Sequence, residues 1–316
     1  MTVTAPDLAD AFEPLRPGLR LHCYRMLGSS HDSDDIVQEA MLRAWRARGS
    51  LEDPARVKPW LYRIATNACL DELAQRSRRA LASELVPHAP GDTFPPAPPL
   101  EDAAWLEPMP ASWLAGGHAD PEARYALRES VALAFVAALQ VLSPAQRAVL
   151  LLRDVVGLSA EEAAGALELS VSAGNSALHR ARVAIDERVA DRAPDSFAGD
   201  DADAQVVGRY VRALEAHDIA AMIALMHEDI QTTMPPSPTW LDGHADNATF
   251  YREMFARWAG ATIRAVPIGV NGGPGLVFQR DGGTRAIEAL VVRDDKLLRV
   301  HHFMQPGVLA LFSPAG

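Results

Sequence analysis

Between residues 11 and 82 apolar side chains return every three or four positions, the period of helices with one buried stripe each. Leu15, Leu19, His22, Cys23 and Met26 make the first stripe, and Gly28 is placed to close that helix. Asp32 or Ser33 can cap a second helix running to about Arg48. Its apolar side is Ile36, Val37, Ala40, Met41, Ala44 and Trp45, while Asp35, Gln38 and Glu39 fall on another face. After a loop broken by Pro54, the stretch Pro59 to Arg79 reads as a third helix, apolar and aromatic first and strongly basic last. Ile64, Ala65, Ala68, Leu70 and Leu73 form its stripe. Trp60, Tyr62, Arg63, Asn67 and Asp71 need another explanation. Rings stack on unstacked bases and amides read base edges, while Arg76, Arg78 and Arg79 suit phosphates. Taken alone, an amphipathic helix with a solvated basic tail accounts for the stretch equally well.

The pattern breaks at about Ser83. Eight prolines lie between Pro87 and Pro110 with little periodicity, as in an extended linker. Trp105, Leu106, Trp113 and Leu114 interrupt it as apolar pairs that either dock on something or form a loose flap. Helical periodicity resumes near Asp120 and runs through Val131, Leu133, Phe135 and Leu139. Ser143-Pro144-Ala145-Gln146 and Ser159-Ala160-Glu161-Glu162 are capping boxes. They predict helices over Pro144–Val155 and Ala160–Leu167, followed by a turn at Glu168 to Ser170 and a longer helix from Val171 to about Val189. A short helix, a tight turn and a longer helix with a basic second half is the helix-turn-helix pattern. Beyond a polar linker, helical segments precede alternating runs over 261–268, 275–279, 285–292 and 296–304, with Asp281-Gly282 as a hairpin signal. Helices first and a curved antiparallel sheet after them make an α+β domain.

Composition sharpens this. A length of 316 residues allows two or three domains. A net charge of -11 argues against binding nucleic acid over the whole surface. The charge is uneven: residues 11–80 hold twelve basic against nine acidic side chains, and 84–125 hold one against seven. A locally basic module in an acidic chain remains compatible with DNA contact. Two distant cysteines, Cys23 and Cys69, argue against a disulfide framework or zinc site and suit helix packing in a reducing compartment. The N-terminus has no signal-peptide pattern and no apolar run is long enough to span a membrane. Nothing resembles a nucleotide-binding loop, so no cofactor and no metal are expected, and the protein is expected to be cytoplasmic.

In order and spacing, DSDDIVQEAMLRAWR, PWLYRIATNACLDELAQRSRR, LSPAQRAVLLLRDVVGLSAEEAAGAL and SVSAGNSALHRARVAI resemble the extracytoplasmic-function (ECF) group of bacterial RNA polymerase sigma factors across residues 11–190. From about residue 203 the helix–sheet order and the MPPSPTWLDG turn resemble a SnoaL-like, ketosteroid-isomerase-type cone-shaped domain, known as a C-terminal extension in some of these factors. The resemblance implies two all-α domains plus an α+β tail: sigma domain 2 (1–82), an acidic linker (83–125), sigma domain 4 with the helix-turn-helix (126–191), a short linker (192–202) and the tail (203–316). It implies that Asp35, Gln38, Glu39 and Leu42 dock core polymerase. It implies that Trp60, Tyr62, Arg63, Asn67, Asp71 and Arg76 meet the minus-ten element. Ser172, Ala173, Asn175, Ser176, His179 and Arg180 then face the minus-thirty-five element, with Arg182 on a phosphate. The implied partners are promoter DNA and the β′ clamp helices and β flap of core polymerase, with no membrane.

Two departures stand out. Gly174 replaces a common β-branched core residue, and Glu168 replaces the usual turn glycine. The tail raises the question of an enzyme, because SnoaL-like folds enclose an apolar pocket. Its candidate lining is Asp229, Met234, Trp240, Tyr251, Phe255, His301 and Phe303, and it would serve a small-molecule or intramolecular ligand. No acid–base pair is evident, so a cis-regulatory tail is expected and not an enzyme. A helix-turn-helix repressor, a SnoaL-type enzyme with a regulatory N-terminus and a structural adaptor are the competing classes.

Overall fold

A computed structural model of the chain describes residues 10–51, 53–100, 102–114, 121–190 and 200–312. The chain divides into two compact units. One joins residues 1–79 to 134–194, and the other joins 80–133 to 195–316. The expected linker over 192–202 lies largely outside the described residues.

The helices run α1 (Arg16–Leu27), α2 (Ser30–Ala47), α3 (Val57–Leu73), α4 (Pro121–Glu129), α5 (Leu133–Gln140), α6 (Pro144–Leu150), α7 (Ala160–Ala166) and α8 (Val171–Ala190). Gly28 ends α1 with φ 67°, donating its N–H to the Tyr24 carbonyl. The cap of α2 is Ser29, not Asp32 or Ser33: its Oγ accepts the Asp32 N–H. α3 stops at Leu73, short of the expected Arg79. Beyond it Arg76 and Arg79 both reach Asp32 Oδ2, at 2.8 and 2.6 Å. Both capping boxes form as expected, at Ser143 and Ser159. After α6 the chain continues as one wider helical turn over Leu151–Val155. Glu168 stands at φ 55°, the left-handed conformation that a glycine would adopt freely.

In this helical unit α1–α3 and α5–α8 share one apolar core, in which Leu19, Met26, Leu61 and Ala65 meet Leu139, Leu151, Ala163 and Leu178. Burial on two sides widens the apolar face of α3, so Trp60 and Tyr62 lie within the core at 8% and 6% exposure. Cys23 and Cys69 are both free and buried. Burial pushes the Cys69 thiol well up.

A polar seam runs through the core. Arg147 of α6 donates to the Met26 carbonyl at the end of α1, to Gln140 Oε1 and to the Gln140 and Leu142 carbonyls. Gln140 Nε2 in turn donates to the Val136 and Arg25 carbonyls. A cation there satisfies carbonyls that a helix end leaves unpaired. His22 is fully enclosed. The Thr66 hydroxyl donates to the Tyr62 carbonyl, so it accepts from His22 Nε2–H at 2.9 Å. That leaves Nδ1 buried without a partner. Burial, with Arg25 nearby, holds the imidazole down to about 3.

The second unit is α+β, as expected. Its helices are α9 (Asp200–Glu215), α10 (Ile219–Ala224), α11 (Gly243–Arg257) and α12 (Pro306–Leu311). Its strands are β1 (Met226–Thr233), β2 (Trp240–Asp242), β3 (Ile263–Val270), β4 (Gly273–Arg280), β5 (Gly283–Arg293) and β6 (Lys296–Phe303). The sheet order is β2-β1-β6-β5-β4-β3. Only the β1–β6 pair is parallel, and register shifts in β4–β5 and β5–β6 mark bulges that bend the strands. Asp281 and Gly282 both take positive φ in the β4–β5 turn, as the hairpin signal required. Val206, Tyr210 and Leu214 of α9 and Phe250, Tyr251 and Phe255 of α11 pack with Leu276, Phe278, Leu290 and Val300 of the sheet.

The proline-rich segment does not hang free. It lies along this α+β unit as a strap. The Ala89 N–H donates to the Trp240 carbonyl, the Gly91 N–H to Asp246 Oδ1, the Ala97 N–H to Thr239 Oγ1 and the Leu100 N–H to the Pro236 carbonyl. Trp240 Nε1 returns a bond to the Val86 carbonyl. Phe94 packs edge-on against Phe250 and Trp258, with ring centroids 5.2 and 5.6 Å apart. Trp105, Leu106 and Trp113 are buried, as is Met109 between them, while Leu114 is half-buried, so the apolar pairs dock with only the last residue partly open.

Candidate functional site

Along α2, Asp35, Gln38 and Leu42 are exposed and Glu39 is half-buried, at helical spacing on one side. Leu42 is 51% and Trp45 42% exposed, so an apolar strip borders the acidic one. Trp45, read in the sequence as part of the buried stripe, instead lies outside with Arg48 over its ring at 5.0 Å. Such a mixed face suits a basic helical partner. Arg43 joins this face to the next. Its guanidinium bonds Glu39 at 2.9 Å and Asp71 of α3 at 2.6 Å.

On α3 the residues expected to read bases separate into two sets. Arg63 and Asp71 are exposed, Asn67 is half-buried, and Arg76 is exposed just past the helix end. Trp60 and Tyr62 point the other way. Trp60 Nε1 donates to Ser50 Oγ at 3.3 Å, and the Tyr62 hydroxyl lies so near Gly18 that a Cβ there would stand 2.6 Å from it. Neither ring is open to a base in this structure, because both fill the core under α3. Sequence alone missed Asp32, which gathers Arg76 and Arg79. It also missed Arg43. Both are long-range ion pairs that periodicity does not signal.

α7 and α8 form the expected helix-turn-helix. Ala177, Leu178, Ala181 and Ile185 face the core. Ser172, Ala173, Asn175, Ser176, His179 and Arg180 are all exposed. Five of them, with Val171, line an open concavity of about 680 Å³. The hydroxyls, amide, imidazole and guanidinium there are the groups that read base edges and phosphates. Arg182 is held elsewhere, paired with both oxygens of Asp154 at 2.9 and 2.7 Å. Gly174 packs on Ala164, where an added Cβ would make ordinary contact at 3.6 Å.

The seven residues expected to line one tail pocket are not brought together. The Asp229 side chain is 78% exposed, and Trp240 is held by the strap. Met234, Tyr251 and Phe255 belong to the core under the helices. His301 and Phe303 alternate with His302 along β6 and so lie on the opposite sheet face from it. His301 Nδ1 meets Thr233 Oγ1 at 2.8 Å. The helix-facing side instead carries a polar group that sequence reading missed. His302 Nδ1 stands 3.1 Å from Glu288 Oε1, His302 Nε2 is 3.4 Å from the Tyr251 hydroxyl, and Tyr251 meets Tyr210 at 3.3 Å. Burial first, then the Glu288 charge, pushes both phenols well up. Cross-strand pairing of residues 288 and 302 is the signal that could have found it, once register was known. Among the described residues no group of His, Cys, Asp and Glu could hold a metal, and no helix is long and apolar enough to cross a membrane.

Comparison with known proteins agrees with this layout. Residues 11–79 match Sigma-70 region 2, residues 132–185 match Sigma-70 region 4, and residues 207–302 match the SnoaL-like domain. The chain is 39% identical over 302 residues to the ECF RNA polymerase sigma factor SigG of Mycobacterium tuberculosis, covering 94% of this chain and 80% of that one. It is 30% identical over 223 residues to SigJ of the same organism, covering 70% and 63%. The crystal structure of M. tuberculosis SigJ superposes with a TM-score of 0.63 at 24% identity, over 98% of this chain and all of the other. The fold is therefore shared over nearly the whole length. With both Sigma-70 regions, an exposed helix-turn-helix face and a SnoaL-like tail, this chain belongs to the ECF sigma factors, which direct promoter-specific initiation of transcription.

Proposed function

We propose that the acidic-apolar side of α2, with Asp35, Gln38, Glu39 and Leu42, docks the β′ clamp helices of core polymerase, while the helix-turn-helix domain engages the β flap. Arg63, Asn67, Asp71 and Arg76 then meet the minus-ten strand. Trp60 and Tyr62 enter this reading as packing under that face. Ser172, Asn175, Ser176, His179 and Arg180 meet the minus-thirty-five element, and Arg182 reaches a phosphate once Asp154 lets go. Residues 1–82 and 126–191 act as the two DNA-binding domains and 203–316 as a tail that controls them in cis, in the cytoplasm.

The observation that carries this reading is the core shared by the two helical parts. By their names the two promoter elements lie some 25 base pairs apart, about 85 Å along a duplex at 3.4 Å per step. A packed unit the size of this helical one is only about 40 Å across. One closed unit therefore cannot lie on both elements, and the form described here must open to initiate. A chain whose resting form is closed needs something to set when it opens, and the strap that connects the two halves is bound to the tail.

Run-off transcription with purified core polymerase on a promoter pool tests the reading. Promoter-dependent transcripts are expected, with the two reading surfaces needed together. Their absence with the full chain and with strap-loosening variants alike would overturn it.

A further inference from the structure

We propose that the β3–β4 hairpin of the tail is a clasp that holds the strap by its main chain at two points and so governs when the second DNA-binding domain is released. The proposal rests on the cis-regulatory reading above and names the contact that performs it.

Asn271 is the centre of the clasp. It is 3% exposed and takes φ 51°, a left-handed conformation that asparagine tolerates better than most residues. Its main-chain N–H and both polar atoms of its side chain reach residues 109 and 131. Its N–H donates to the Met109 carbonyl, and its Oδ1 accepts the Met109 N–H, both at 2.9 Å. The asparagine thus imitates a strand neighbour for one residue. Its Nδ2 donates to the Val131 carbonyl at 2.6 Å. One side chain therefore ties together two points 22 residues apart in the chain, the second only two residues ahead of α5.

The glycines beside it complete the seat. Val270 bridges Pro110 in antiparallel fashion. A Cβ on Gly269 would stand 2.5 Å from Ala111, and one on Gly272, at φ 75°, would stand 3.1 Å from Arg128. Both glycines lack side chains where Ala111 and Arg128 pack against the hairpin. Met109 itself is fully buried. This is recognition of an extended segment by a sheet edge, with the partner supplied by the same chain.

The two points can be separated. Asn271→Asp keeps an oxygen for the Met109 N–H but replaces the donor to Val131 with an acceptor facing a carbonyl. Asn271→Gly keeps the backbone conformation and removes both side-chain bonds. Hydrogen exchange on the full-length protein, read in peptides spanning 105–114 and 126–133, is the direct assay. For Asn271→Asp, exchange over 126–133 should rise roughly 2–10-fold with 105–114 little changed, as for one lost hydrogen bond. For Asn271→Gly both peptides should rise. Run-off transcription and polymerase affinity, measured on the same samples, should change together with exchange over 126–133. Unchanged exchange over 126–133 in both variants overturns the clasp. Faster exchange with unchanged transcription and affinity overturns its regulatory use. Trp240→Phe, which removes the anchor to Val86 at the other end of the strap, separates the two levels. If it alters transcription while the Asn271 variants do not, cis-regulation stands and the clasp is not its device.

Discussion

Arg147→Ala should open the helical unit at its polar seam. The wild-type side chain is 3% exposed and satisfies the Met26, Gln140 and Leu142 carbonyls and the Gln140 amide oxygen. Burial lowers its pKa to about 10, which leaves it charged at neutral pH. Alanine leaves those acceptors enclosed without a donor, at about 1–3 kcal/mol each where water does not reach them. No longer desolvating a guanidinium offsets part of this. Removing one partner from a buried charged network typically costs about 3–5 kcal/mol, and that is the loss expected here. With a urea m-value of about 2 kcal/mol/M, the midpoint of the helical transition should fall by about 2 M. A fluorophore pair placed at exposed Gln38 and Val183 should report a longer distance between the two parts. Arg147→Lys, with charge but no fork of donors, should fall between. A loss below about 1 kcal/mol with an unchanged distance would refute the argument that this arginine ties the two parts together.

His22 should make the helical unit acid-labile. Its folded pKa of about 3 lies below the unfolded value near 6.5, so the unfolded chain binds the extra proton in between. The contribution is whole above pH 6.5 and lost as pH falls toward 3, about 2 kcal/mol by pH 5; urea melts at pH 8 and 5 should show this, and His22→Gln should flatten it. Glu168→Gly should stabilise by about 1 kcal/mol, because φ 55° strains any residue with a Cβ; a lower melting temperature would contradict that. Asn175→Ala or Arg180→Ala should cost about 1–3 kcal/mol of promoter affinity in a binding titration, without change in core-polymerase affinity. Trp60→Ala should cost about 3–5 kcal/mol of stability in urea melts, as a core residue does; a stable variant that fails only in strand opening would restore the ring to the DNA face.

Much of the fold was legible because it rests on local chemistry. Ser143 and Ser159 announce their helices through capping boxes, Gly28 stops α1, and Asp281-Gly282 turns the hairpin, each within a few residues of its effect. The six outward residues of α8 follow from its period once Leu178, Ala181 and Ile185 are turned inward. What was not legible depends on distant partners. Trp60 and Tyr62 look like reading residues until the fold seats them against Ser50, Gly18 and His22. The strap looks like a free linker because polyproline-like chain has no period of its own, and its bonds go to residues over a hundred positions away. The tail pocket failed for a related reason. Alternation along β6 says that His301 and His302 face opposite ways, but not which faces the helices, and Glu288 across the strand decides it.

The position of Asn271 also sets an order of events during synthesis. The strap residues Leu106, Met109 and Trp113 leave the ribosome well over a hundred residues ahead of the hairpin that seats them. At roughly 5–20 residues per second the gap is about 10–30 s. Once residue 194 is out, roughly 80 residues, or about 4–16 s, remain in which both helical parts exist while the segment between them has no seat. If the clasp regulates as proposed, core polymerase meeting a newborn chain in that window would encounter a sigma factor on which the tail has no hold yet.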